Sequence, residues 1–125
     1  MILDTCALLW LAQGGGKLSA SARERIGVAP SVYISAITGF EIGIKCRKGK
    51  LKLPARPTEW LQTVLSHHGV EVISVDTRIA VAATELPDIH GDPCDRMIIA
   101  SAKLLALPVV TADPVFKEYG IETFE

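Results

Sequence analysis

Short runs rich in Val, Ile and Leu alternate with longer amphipathic stretches from one end of the chain to the other. This order leaves few folds open, because parallel strands cannot be joined by tight hairpins and need a crossover, usually a helix. The chain therefore reads as α/β. Strand candidates are Met1 to Asp4, Val32 to Ser35, Val70 to Val75, Pro108 to Thr111, and a last edge at Ile121 to Phe124.

The helices between them carry boundary signals. Ser35, Thr58 and Asp76 stand where an N-cap oxygen can accept the first free amides, and Gly49 and Gly69 follow as stops. Gly14 to Gly16 separate the first helix from the next, and Pro54 with Pro57 mark a loop before the helix containing Trp60.

With 125 residues, 49% hydrophobic and 22% charged, the chain suits one domain over residues 1–125 that buries its own core. No apolar run approaches the ~20 residues of a membrane span, and the start lacks the basic and long apolar regions of a signal peptide. The expected location is the cytoplasm, with no membrane partner. Cys6, Cys46 and Cys94 are odd in number and far apart, which excludes a disulfide framework or a CxxC motif. A formal net charge of −1 means that any grip on nucleic acid is local.

In an open parallel sheet, ligands bind beyond the carboxyl ends of the strands. Asp4 closes the first strand there, and Asp113 follows the strand ending at Thr111. Asp95 falls in the first turn of a helix starting with Asp92 as N-cap and Pro93 at its first position, so it also lies on that side. Glu41 sits inside the helix after the second strand, beside a buried stripe read as Ile37, Phe40 and Ile44.

Each acid has an ordinary structural role available. Asp4 and Asp113 can be N-caps, Asp95 can complement a helix dipole, and Glu41 can pair with Lys45. Jointly, three acids at one sheet edge and a fourth facing them concentrate negative charge that folding alone does not require. Hard oxygen donors without histidine or cysteine support favour Mg²⁺ or Mn²⁺ over zinc. Such an ion can activate a water, orient it for in-line attack and neutralise transition-state charge, which is phosphodiester hydrolysis.

The stretches holding these acids are "LDTCALLWL" around Asp4, "ISAITGFEIGIKCRKGKLKL" around Glu41, "LPDIHGDPCDRMIIASA" around Asp95 and "VVTAD" ending at Asp113. Together, in this order and over nearly the whole chain, they resemble the PIN-domain toxins of VapC type, and the HxDPxDR-like segment from His90 to Arg96 is the most specific piece. The resemblance implies a Rossmann-like α/β/α sandwich with a central, mainly parallel sheet. It also implies a Mg²⁺ or Mn²⁺ site built from Asp4, Glu41, Asp95 and Asp113, and endoribonuclease activity restrained by a cognate antitoxin. A homodimer is expected on the same ground. The sequence departs from the family's usual pattern at Cys6 and Cys94, neither an expected ligand.

Around the acids, Thr5 and Thr111 are good cap or strand residues and receive no catalytic role. Arg96 can grip a phosphate or, preferentially, orient Asp92 or another carboxylate. His90 reads as a hydrogen-bonding loop residue, and His67 and His68 as structural. Lys45, Arg47, Lys48, Lys50 and Lys52 form a basic stretch that can track an RNA backbone or simply complement a helix C-terminus. Trp10 and Trp60 read as core or interface, and Leu8, Leu11 and Ile42 as a partner surface.

Two rival readings differ in class. A phosphorylation-receiver domain would use Asp76 as phosphoacceptor, but wants paired acids after the first strand and a lysine after a late one. A catalytically inactive PIN fold would only bind RNA or a protein, and the presence of all four acids argues against it. A DNA-directed nuclease of the same fold is also compatible with the acids, since metal and carboxylates act on phosphate.

Overall fold

The computed structural model describes residues 1–125. Five strands, β1 (Ile2–Leu3), β2 (Val32–Ser35), β3 (Val70–Ile73), β4 (Val109–Val110) and β5 (Thr123–Phe124), form one sheet in the order β3-β2-β1-β4-β5, and every pairing is parallel. The helices are α1 (Thr5–Ala12), α2 (Ala20–Val28), α3 (Ala36–Arg47), α4 (Pro57–His68), α5 (Thr77–Glu85) and α6 (Pro93–Leu105), with a 3₁₀ turn over Pro114–Tyr119. None is long and apolar enough to cross a membrane.

Both faces of the sheet are covered, which explains why the strands read as continuous apolar runs. Successive side chains point to opposite faces. Leu3, Ile34 and Val110 join one core with Ala7, Leu8, Ile42 and Val64, while Ile2 and Val109 join a second core with Ile98, Ile99 and Phe116. A smaller group of Ile79, Ala83 and Ala100 seals α5 against α6. Ile98 and Ile99 are wholly buried, worth ~1.5–3 kcal/mol each. The α/β/α architecture expected above is the one observed, with a sheet that is parallel throughout.

Several local expectations need correction. α4 begins at Pro57 with Arg56 as its N-cap and no side-chain cap bond, so Thr58 lies inside the helix. A proline at the first helical position fixes the start without a capping oxygen. In α3 the buried positions are Thr38 and Ile42, whereas Phe40 is 60% exposed. Leu8 and Ile42 are fully buried, so neither belongs to a partner surface.

The order of the strands places the functional edge. From β1 the chain moves outward through β2 to β3, then returns across the sheet through α5 and α6 to β4, on the other side of β1. The segments leaving β1 and β4 therefore diverge, opening a crevice at their carboxyl ends. Asp76, the phosphoacceptor of the receiver alternative, caps α5 after the edge strand β3, with β2 between it and β1.

Candidate active site

The crevice between β1 and β4 holds a hollow of about 150 Å³ lined by Asp4, Thr5, Cys6, Trp10, Glu41, Asp95, Ala112, Asp113 and Phe116. All four acids singled out from the sequence face it. Their ordinary structural roles are real as well. Asp4 Oδ1 accepts the Ala7 amide at 2.8 Å as the N-cap of α1, and Asp113 Oδ1 accepts the Val115 amide at 3.0 Å at the start of the 3₁₀ turn. Asp95 sits one turn into α6, its amide donating to Oδ1 of the N-cap Asp92 at 2.9 Å. Glu41 Oε2 lies 3.5 Å from Lys45 Nζ. Capping positions the Asp4 and Asp113 carboxylates, whereas Asp95 and Glu41 are placed by the helices that carry them.

The structure gives Thr5 and His90 larger roles than the sequence alone suggests. The Thr5 hydroxyl donates to Glu41 Oε1 at 2.6 Å and lies 3.2 Å from the Thr38 hydroxyl, all against a buried α1–α3 contact. It fixes the orientation of Glu41. His90 Nε2 is 2.8 Å from Asp95 Oδ2, and one donor atom each from His90, Asp95 and Asp113 lie within 4.8 Å of one another. The available sequence signal was the place of His90 two residues ahead of the N-cap Asp92, which folds a loop residue back onto the first turn.

Arg96 corrects the sequence reading in the other direction. Its Nε donates to the Ala83 carbonyl, Nη2 to Leu86, and Nη1 to the carbonyls of Pro87 and His90 and the hydroxyl of Tyr119, over 3.0–3.4 Å. No carboxylate is among these partners, so Arg96 does not orient Asp92 or another acid. The guanidinium completes the C-terminus of α5 and ties down the loop carrying His90. Lys45 remains beside the acids, but Arg47 and Lys48 lie at the far end of α3, ~9 Å or more along the helix axis from Glu41, and do not line the hollow.

The electrostatics follow from burial. Asp4, 7% exposed, has its carboxyl pushed up from 3.8 to about 6, chiefly by desolvation; hydrogen bonds from Thr111 and Ala7 oppose the shift, and the charges of Asp95 and Glu41 add to it. Asp95 is also raised, again mainly by burial, with the His90 hydrogen bond opposing. The same bond raises His90. Burial, with the Glu41 charge behind it, lifts the Cys94 thiol to about 11, and burial likewise raises Cys6. Both rim thiols are therefore protonated near neutral pH and make poor ligands.

An all-parallel Rossmann-like sheet with acids converging at its topological switch point defines a class of small α/β domains whose site is an anionic pocket. The chain belongs to the PIN domain family, whose model matches residues 1–122. A curated relative is Ribonuclease VapC22 of Mycobacterium tuberculosis, 29% identical over 114 residues that cover 90% of this chain and 86% of the relative. Among solved structures, VapBC2 from Rickettsia felis bound to a promoter DNA fragment matches with a TM-score of 0.72 at 20% identity, over 99% of this chain and 96% of that one. DNA-bound VapBC from Salmonella typhimurium matches with a TM-score of 0.70 at 23% identity, over 99% and 95%.

Proposed function

We propose that this chain is a metal-dependent endoribonuclease and the toxin of a toxin–antitoxin pair. The observation that carries the reading is the convergence of Asp4, Glu41, Asp95 and Asp113 on one hollow. Similarity to a ribonuclease and to proteins solved as toxin–antitoxin complexes supports it.

The donor set fits a small divalent cation. Its reachable atoms are carboxylate oxygens with one imidazole, and the neighbouring thiols are held protonated. Asp4, Asp95 and Asp113, with Glu41 facing them, would hold Mg²⁺ or Mn²⁺. When bound, the ion supplies an activated water and charge neutralisation at the phosphate.

The chain's own residues do the rest. Cap bonds and the Thr5 hydroxyl fix the carboxylates before substrate arrives, so little reorganisation is needed at the moment of reaction. Lys45, beside Glu41 at the rim, offsets the negative field of the acids and draws in the phosphodiester backbone. Arg47 and Lys48 extend that positive surface along α3, away from the hollow. The antitoxin would serve as the restraining protein partner, and a second copy of the chain as a dimer partner.

Purified protein is expected to cut single-stranded RNA with Mg²⁺ or Mn²⁺ and to stop in excess chelator. Its expression alone should slow growth, with relief by the small protein encoded beside it. Cleavage persisting in chelator would overturn the metal mechanism, and harmless expression of verified active enzyme would overturn the toxin role.

A further inference from the structure

Asp4 and Glu41 line the hollow with Asp95 and Asp113, and His90, outside that lining, brings a donor atom within 4.8 Å of those of Asp95 and Asp113. Two ligands on adjacent positions of an octahedral ion with ~2.1 Å bonds stand ~3.0 Å apart, and opposite ligands ~4.2 Å apart. The 2.8 Å separation of His90 Nε2 from Asp95 Oδ2 is close to the adjacent spacing, and one carboxylate oxygen of Asp113 lies within 4.8 Å of both.

The ring is also held from behind. Tyr119 accepts the His90 amide proton at 2.7 Å and donates to the Pro87 carbonyl at 3.2 Å. Arg96 takes the His90 carbonyl at 3.0 Å together with those of Ala83, Leu86 and Pro87. Both peptide groups of His90 are thus fixed by side chains rooted in α6 and the 3₁₀ turn. A loop residue with an anchored backbone and its ring against two carboxylates has the preorganisation expected of a ligand.

Resting on the metal-nuclease reading above, we propose that His90 is a direct ligand of the cation through Nε2, and that it biases the site toward Mn²⁺ over Mg²⁺. Imidazole nitrogen suits transition metals, whereas Mg²⁺ favours oxygen donors. In the metal-free protein Nε2 and Asp95 Oδ2 are hydrogen-bonded; to serve as a ligand Nε2 would have to be free of hydrogen, with the ring hydrogen on Nδ1. The competing role is indirect, with His90 acting only as a hydrogen-bond partner that orients Asp95. His67 and His68, at the end of α4 on the opposite edge of the sheet, are too remote to contribute.

The test uses Mn²⁺ and Mg²⁺ themselves on the full chain. Pulsed electron paramagnetic resonance of the Mn²⁺-loaded protein should show nitrogen coupling from a bound imidazole, absent in His90→Gln. Calorimetric titration should find Mn²⁺ binding weakened about tenfold or more in that variant, on the scale of losing a ligand-shell residue, and Mg²⁺ binding changed much less. Gln retains an amide able to hydrogen-bond Asp95, so a purely orienting role would leave both affinities nearly intact. Nitrogen coupling missing from the wild type, or equal effects on both ions, overturns the ligand assignment alone. A wild type that binds neither ion overturns the metal site as well.

Discussion

Removing the charge of Asp4 should stabilise the metal-free protein at neutral pH. The gap between 3.8 and about 6 corresponds to about 3 kcal/mol. An acid raised on folding contributes stability that is fully present below its unfolded value and is lost as pH climbs through its folded value. The contribution of Asp4 therefore disappears between about pH 4 and pH 6. Asp4→Asn keeps an oxygen for the Ala7 amide, and Asn caps helices about as well as Asp. At pH 7.5 in chelator the variant should exceed the wild type by about 1–3 kcal/mol, or several degrees in Tm, with the advantage gone near pH 4. Added Mn²⁺ should stabilise the wild type and leave the variant nearly unmoved, since an ion that binds only the folded site adds to stability. Chemical and thermal denaturation at both pH values, with and without Mn²⁺, read all three effects. A variant less stable than the wild type at pH 7.5 would mean that Asp4 serves folding as a charged cap and carries no stored repulsion.

Other substitutions separate positioning from packing. Arg96→Met removes the guanidinium donor from the Ala83, Leu86 and His90 carbonyls, with Pro87 keeping Tyr119, and should cost about 2–4 kcal/mol in chemical denaturation; a phosphate-gripping role would instead raise KM in an equally stable protein. Thr5→Val should cost about 1 kcal/mol of stability yet lower kcat by about tenfold or more, because Glu41 loses its orienting donor. Ile42→Ala should destabilise by about 2–5 kcal/mol as a core cavity, where a residue of a partner surface would leave the isolated chain's stability unchanged.

Much of the fold could be read from the sequence because a parallel sheet covered on both faces makes its strands uniformly apolar, and β2 matches the expected Val32 to Ser35. β3 ends at Ile73, two residues before the expected limit. α3 misled because the spacing of Ile37, Phe40 and Ile44 imitates a core stripe, while the buried stripe runs through Thr38, a polar residue made tolerable inside by its neighbour Thr5. The four acids were legible since three end strands or begin helices at one edge. What the sequence does not show is how deeply two of them sit, and burial is the main cause of the raised carboxyls of Asp4 and Asp95. Arg96 and His90 were the least legible, because their roles depend on Tyr119 and the carbonyls of residues 83–90, contacts that no local pattern encodes.

Single-turnover cleavage of single-stranded RNA, following the wild type, Asp95→Asn and Asp113→Asn with Mn²⁺ at matched folded fractions, tests the central claim most directly. Cleavage by the wild type, and loss of at least a hundredfold in both variants while their folds stay intact, is the predicted result. Variants that keep wild-type rates would contradict it, leaving Asp95 and Asp113 as helix-start residues only.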